Sequence, residues 1–289
     1  MGLSCFLVLT WLLSPGSGLP SGESRGPLSS PGSGVLAQQS QSPEPRRVSA
    51  PYNVPGEEAA IFWFGRVTPT TNAVDVRLSY QEDHLYVRAA AMDRRLWFDR
   101  SPSPDDLTAW DAATLYLDTA GNAGLAPGTH SYRFVAQLSV TPSREEYQAA
   151  YQGNGTGWAA ADLPFTSTTD WAGNYPNDEI DDRGWAPKFL IPYSTLGLSG
   201  PPAEGTIWGV ALVLHDRDDT QGTPIEDQVW PETMQPEQPA TWGQLRFGNP
   251  AYSPPPASRE GEVVIRHGLN GATVMDADVG GSSICGSPA

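Results

Sequence analysis

The sequence predicts an all-β protein, an antiparallel β-sandwich of jelly-roll type. Several short segments alternate apolar and polar residues with a period of two, which is typical of strands with one buried face. The chain also contains 30 glycines and 28 prolines, as expected for many strands joined by tight turns. No long segment has the 3.6-residue apolar period of a helix. We expect a disordered N-terminal segment and a short C-terminal tail to flank this sandwich.

The individual strands follow from the same pattern. Residues 74–80 and 85–91 alternate on either side of a polar turn and predict a hairpin. Residues 207–214 are apolar on both faces, as in a strand at the centre of a sandwich. Further strands are predicted at residues 115–117, 132–138 and 245–247. A helical turn at 192–196 is too short to change the fold class.

Composition divides the chain into five regions. Residues 1–18 contain an apolar run that is too short for a bilayer, which needs about 20 residues, and predict a signal peptide. Residues 19–48 are rich in Ser, Gly, Pro and Gln and predict a disordered linker. The sandwich is expected at 49–249 and a Pro-rich linker at 250–260. Residues 261–289 are too few for a core of their own and are interpreted as the truncated start of a further module.

Charge and cysteine content restrict the function. The net charge is −16, with 33 acidic and 17 basic residues, so phosphate backbones and anionic membrane surfaces are repelled. We therefore expect neither a nucleic-acid partner nor membrane insertion, whereas a neutral polysaccharide is not repelled. The signal peptide predicts an extracellular or cell-surface location. Because Cys5 and Cys285 are the only cysteines, the central region holds no disulfide and no cysteine nucleophile.

Tryptophans in loops are the strongest candidates for a binding function. Trp110 and Trp230 lie beside Asp or Pro in predicted loops. An exposed indole face attracts the C–H face of a sugar ring, and a neighbouring carboxylate such as Asp111 bonds sugar hydroxyls. The alternative for any single tryptophan is a place in the core.

A calcium site is the second candidate. Asp216, Asp218 and Asp227 lie in one loop, and hard cations require several oxygen ligands. Gln221 stands where a calcium-binding EF-hand has glycine, so a solvated turn is the alternative. The four histidines lack the spacing of a helical metal site.

An ordered set of segments resembles the family 9 carbohydrate-binding modules. Residues 108–118 (TAWDAATLYLD) resemble the Trp–Asp–strand–Asp element of that family. The resemblance extends from 49 to 249 and also rests on residues 84–93, 132–134, 184–192, 206–218 and 241–247. It implies a β-sandwich with structural calcium that holds sugar ends between two tryptophans.

The resemblance also implies site residues. Trp110 matches the first of the two tryptophans, and Arg133 matches an arginine that bonds sugar hydroxyls. With Asp111, Gln137 and Trp230 they form the predicted carbohydrate site. Two positions depart from the family: residues 231–241 contain no second tryptophan, and Thr114 replaces a glutamate. The implied function is non-catalytic binding of xylan- or cellulose-type glycans, as an accessory module to a glycoside hydrolase.

Three alternatives remain open at this point. Similar sandwiches bind haem for electron transfer, and Met92, His84 and His215 are the candidate axial ligands. A glycosidase would need two carboxylates about 5–10 Å apart across a cleft, and no motif supports one. A purely structural surface module would explain the missing second tryptophan.

Overall fold

The computed structural model describes residues 45–54, 60–122, 124–249, 263–267 and 273–277. It confirms the predicted all-β sandwich, since two mainly antiparallel sheets pack face to face. The predicted signal peptide, residues 19–44 of the first linker and the Pro-rich linker lie outside the described residues. Within the described part of the chain, no helix is long and apolar enough to cross a membrane.

Fifteen strands follow one another along the described chain. They are β1 (Arg47–Ala50), β2 (Ala60–Thr68), β3 (Thr71–Tyr80), β4 (His84–Met92), β5 (Ala112–Asp118), β6 (Ser131–Gln137), β7 (Gln148–Gly153), β8 (Trp158–Ala160), β9 (Thr166–Ala172), β10 (Gly184–Pro192), β11 (Ile207–His215), β12 (Gln228–Trp230), β13 (Gly243–Phe247), β14 (Val263–His267) and β15 (Thr273–Ala277). The strand pattern of the sequence identified β3, β4, β5, β6, β11 and β13.

The larger sheet has eight strands in the order β1-β13-β11-β5-β6-β7-β8, with β12 also paired to β11. The smaller sheet has five strands in the order β2-β3-β4-β10-β9. The predicted hairpin is β3–β4, and the predicted helical turn is a short 3-10 helix at Tyr193–Leu196. The sheets thus bring residues far apart in sequence onto shared faces.

The core lies between the two sheets. Alternate residues of β3 and β4, such as Val76 and Val87, are fully buried against inner residues of the larger sheet such as Leu115 and Phe134. Because side chains alternate along a strand, the intervening residues point away from the core. Each sheet therefore has a second face, called below its outer face.

Both ends of the predicted sandwich differ slightly from the observed one. β1 begins at Arg47, inside the predicted linker, and pairs in parallel with β13. Parallel pairing of so short a segment gives no alternation long enough to recognise in the sequence. Within residues 261–289, β14 and β15 form an antiparallel hairpin, and their assignment to a further module stays a prediction.

Two connecting segments cover part of the larger sheet's outer face. A 3-10 segment at Pro104–Ala109 packs on β5, β6 and β7, with Leu107 buried beneath it. Residues 231–241 bring Met234 against a second small cluster that includes Tyr116, Val213 and Trp242. These segments leave a cavity between them.

Candidate functional site

The outer-face cavity lies on the larger sheet and has a volume of about 300 Å³. Strands β5, β6, β7 and β11 each contribute to its floor, and the two covering segments form its walls. Its polar and aromatic lining includes Thr114, Tyr116, Arg133, Tyr151 and His215. This size lies at the lower end of small-molecule pockets, which span about 300–1,000 Å³.

Arg133 is the central cation of the cavity. Strand register places it directly between Tyr116 on β5 and Tyr151 on β7. Its guanidinium carbon lies 3.7 Å from the centre of the Tyr151 ring and 5.6 Å from that of Trp158. Its Nε is buried without a hydrogen-bond partner, so one donor of the guanidinium is unused. Stacking fixes the orientation of the group, and an unused donor suits it to an added acceptor.

An aromatic cluster supports Arg133 from one side. The Tyr116 ring lies 5.7 Å from that of Trp158 and 5.3 Å from that of Trp242, and the two indoles stack nearly parallel. Trp242 is buried, and its Nε1 donates to the Gln235 carbonyl, which ties residues 231–241 to the cluster. Burial raises the pKa of Tyr116 to about 12, so its hydroxyl stays neutral. Tyr151 and Trp158 were missing from the predicted site.

A polar chain crosses the cavity floor. Thr114 Oγ1 lies 2.9 Å from His215 Nε2, and His215 Nδ1 lies 3.0 Å from Asp227 Oδ1. When His215 is neutral, the carboxylate holds the proton on Nδ1, so Thr114 donates to Nε2. The Thr114 oxygen then presents its lone pairs for an incoming hydroxyl donor. Asp227 therefore pairs with His215 of the cavity lining and does not join the cluster that contains Asp216 and Asp218, contrary to the predicted calcium set.

Two of the predicted sugar ligands serve the backbone instead. Asp111 is fully buried, and its two carboxylate oxygens accept from the backbone N–H groups of Trp97 and Arg217. Gln137 is also fully buried; it donates to the Leu107 carbonyl and accepts from the Asp99 N–H. Both side chains hold the segments around the cavity and are closed to solvent, which corrects their prediction as direct ligands.

The predicted tryptophans differ from each other. Trp230 is 5% exposed and packs between the sheets, with its ring 4.3 Å from Phe62, so its prediction as a sugar platform is wrong. Trp110 is half-buried, and the edge of its indole faces Gly222. Trp110 does not line the outer-face cavity, although Thr108, two residues before it, and Arg133 both do.

Three carboxylates form a separate cluster beside the sheets. Oxygens of Asp93, Asp216 and Asp218 lie within 4.8 Å of one another. Asp93 and Asp216 are buried, and each has one carboxylate oxygen without a hydrogen-bond partner, while Asn72 donates to the other oxygen of Asp216. Asp216 and Asp218 were predicted together; Asp93, at the end of β4, was missed because it lies more than a hundred residues away.

The electrostatics of this cluster favour a bound cation. Burial raises the pKa of all three carboxyl groups; repulsion from Asp216 and Asp218 adds to this at Asp93, and repulsion from Asp218 adds to it at Asp216, whose pKa reaches about 7. Buried carboxylates without partners are costly unless a counter-charge is present. Calcium takes oxygen ligands in flexible numbers, and these residues fit it.

The three candidate haem ligands are not brought together. His84 and Met92 stand at opposite ends of β4, about 26 Å apart at 3.3 Å per residue. His215 lies on the outer face of the other sheet, with both ring nitrogens engaged. This arrangement provides no pair of axial ligands among them.

Comparison with solved structures identifies the fold. A family 9 carbohydrate-binding module from Caldicellulosiruptor kristjanssonii, solved with cellotriose, matches 74% of this chain over its whole length, with 17% identity and a TM-score of 0.50. A Bacteroides uniformis structure, titled a "putative carbohydrate-binding protein", matches 70% of this chain and 99% of its own, with 13% identity and a TM-score of 0.52. A scan against family models found no match, and neither did a search of curated proteins. The fold resemblance drawn from the sequence is thereby confirmed.

Proposed function

We propose that this chain is a non-catalytic carbohydrate-binding module whose site is the outer-face cavity. The observation that carries the proposal is the stacked pair of Arg133 and Tyr151 in a cavity where the buried Nε of Arg133 has no hydrogen-bond partner. The shared fold with a module solved in complex with cellotriose supports it.

Each lining group has a role in this proposal. The ring of Tyr151, which stacks on Arg133 within the lining, offers an apolar surface to a pyranose ring, while Arg133 donates to its hydroxyl oxygens. Thr114, oriented by His215, accepts from a second hydroxyl. The small volume favours one terminal sugar over the middle of a long chain. Trp110, next to the wall, is a candidate for contact with a second sugar unit.

The substrate class and cellular role extend the same proposal. We propose β-linked plant glycans of the cellulose or xylan type, because flat equatorial rings present the C–H faces that aromatic side chains prefer. The protein would act outside the cell, as its apolar N-terminal run suggests, in company with a glycoside hydrolase.

We also propose that the cluster of Asp93, Asp216 and Asp218 binds a structural calcium ion. The support is the pair of buried, unpartnered carboxylate oxygens. The ion would hold the end of β4 to the loop after β11 and would take no part in sugar contact.

The binding proposal is tested by calorimetric titration with cellotriose, xylotriose and a wider glycan panel. We expect Tyr151→Ala to weaken binding about tenfold, because it removes both the ring and the orientation of Arg133. Trp110→Ala should weaken it less.

Tyr175→Ala is the matched control, since Tyr175 is 58% exposed but lies in the loop between β9 and β10, outside the lining of the outer-face cavity. It should bind neutral sugars as the wild type does. Binding that survives Tyr151→Ala and Arg133→Ala unchanged, or no binding to any glycan of the panel, would remove the proposal.

A further inference from the structure

The outer face of the smaller sheet carries a row of three cations. Register pairs Arg77 on β3 with Arg88 on β4, and Arg88 with Lys188 on β10. All three side chains point away from the core, because the residues that flank each of them on its strand are buried or face inward. We call this set the cationic row; it lies on the opposite side of the sandwich from the outer-face cavity.

Such a row costs stability. Like charges directly opposite one another on neighbouring strands repel. Arg77 lies 3.4 Å from Asp75, and Lys188 lies 2.5 Å from Asp170, so the two outer members are partly compensated. Arg88, between them, has no ion pair within the described part of the chain. The protein has a net charge of −16, so acidic partners are abundant. Solubility alone does not require an unpaired arginine between two other cations, so this arrangement indicates a function.

The row borders a shallow cavity of about 390 Å³. Its lining includes Arg77, Arg88 and Arg183, and the two carboxylates in the same lining, Asp75 and Asp170, are each paired with a cation of the row. Its floor contains small residues such as Ala90 and Ala186. A floor of small side chains lets a flat ring approach the sheet closely.

An aromatic side chain stands at one end of the same face. Trp63 pairs with Asp75, which in turn pairs with Ala90, so its indole and the cavity floor share one cross-strand row. Trp63 is 55% exposed, more than any other tryptophan in the described part of the chain. Arginine forks and an exposed indole beside a flat floor together suit a ring that carries a carboxylate.

We propose that this face is a second binding site, which takes acidic polysaccharides built from uronic acids. Arg88 pairs with a uronate carboxylate in the two-pronged geometry that guanidinium groups favour, and Arg77 and Lys188 hold adjacent units. At physiological salt the Debye length is about 8 Å, so the distant negative charge of the protein is screened while these direct contacts persist. The site is independent of the outer-face cavity.

The test is titration with an oligogalacturonate, with dextran as the neutral comparison, at low and at moderate salt. Arg88→Gln should weaken galacturonate binding about tenfold or more, as loss of a charge-assisted contact implies, and leave neutral-glycan binding intact. Its thermal midpoint should not fall, because the change relieves repulsion within the row. Arg100→Gln is the control for net charge, since Arg100 is exposed and lies outside the cavity lining.

Several outcomes would overturn the proposal. Absence of galacturonate binding by the wild type at low salt would do so, and would leave the outer-face cavity unaffected. If Arg88→Gln and Arg100→Gln lose galacturonate affinity equally, the binding is a non-specific attraction of the polyanion to positive charge. If Arg133→Ala loses galacturonate binding and Arg88→Gln does not, the acidic sugar binds in the outer-face cavity. A dimer that Arg88→Gln dissociates, detected by sedimentation, would make a second copy of the chain the occupant.

Discussion

Polar side chains with no solvent contact organise the surroundings of the outer-face cavity. Asp111 accepts from two backbone N–H groups that belong to segments over a hundred residues apart, Trp97 and Arg217. Arg217 in turn donates to the carbonyls of Thr108 and Ala109. The wall beside Trp110 is thus held by a network centred on Asp111, which the sequence alone suggested as a sugar ligand. A short polar residue next to a loop tryptophan can be a sugar ligand or can hold the backbone, and only its burial in the structure distinguishes these two roles.

The buried indole of Trp230 should contribute to the stability of the fold. Trp230→Ala should lower the free energy of unfolding by about 3–5 kcal/mol, because it empties a large volume between the sheets. Urea unfolding followed by circular dichroism measures this. Trp63→Ala, on an exposed ring, should stay within about 0.5 kcal/mol of the wild type. A Trp230→Ala protein of normal stability but lost sugar affinity would instead restore the binding role first assigned to this residue.

Among the elements, the strands differ in how visible they are in the sequence. β3 and β4 alternate cleanly because one face of each is core and the other is outer surface. β7 (Gln148–Gly153) and β9 (Thr166–Ala172) lie towards sheet edges, where few inward residues are apolar, so their sequences show no period. This is why Tyr151 was missed. Its position opposite Arg133 depends on the register of β6 and β7, which local pattern does not specify.

The 3-10 segment Pro104–Ala109 leads to a prediction about an element. Gln137 anchors it through the Leu107 carbonyl at 2.8 Å. Gln137→Met preserves side-chain volume but removes this bond, so the cavity wall should loosen. We expect faster amide hydrogen exchange in residues 104–110 and sugar affinity several-fold lower, with the strands of the sheet protected as before. Unchanged exchange together with lost affinity would mean that Gln137 contacts the sugar itself.

For the whole molecule, the fold was largely predictable and the sites were only partly so. The amino-acid composition and the alternation of apolar and polar residues predicted the sandwich, because both reflect which side chains the core buries. Arg133 and two of the clustered aspartates were identified, whereas Asp93, Tyr151 and Trp158 join their sites through long-range packing. Trp230 was misplaced because the proline that follows it is typical of a loop, although Trp230 ends a short strand and its side chain packs between the sheets.

The carboxylate cluster makes stability depend on pH in a way that calcium should reverse. In metal-free protein the raised pKa of Asp93, Asp216 and Asp218 means that the folded state keeps protons that the unfolded state has already released. The free energy of unfolding should therefore fall, by an amount on the order of a few kcal/mol, as pH rises from about 4 to about 7. Melting curves in EDTA at pH 5 and pH 8 measure this.

Calcium should raise the melting temperature more at pH 8 than at pH 5, because only ionised carboxylates bind it well. Asp216→Asn should stabilise the metal-free protein at pH 8 and remove the response to calcium. Asp106→Asn, at an exposed position of the 3-10 segment, should change neither the stability of the metal-free protein at pH 8 nor its response to calcium. A metal-free protein that is more stable at pH 8 than at pH 5 would contradict the cluster's assignment.

The parallel pairing of β1 with β13 has a mechanical consequence. The chain enters the sandwich at Arg47, beside Gln244, and leaves it after Phe247, beside Ala50, so entry and exit lie at opposite ends of one ladder. Tension between the sequence before residue 47 and that after residue 247 pulls the two strands lengthwise past each other. Their hydrogen bonds are then loaded together in shear and do not open one at a time, so the sandwich should resist stretching between its two ends.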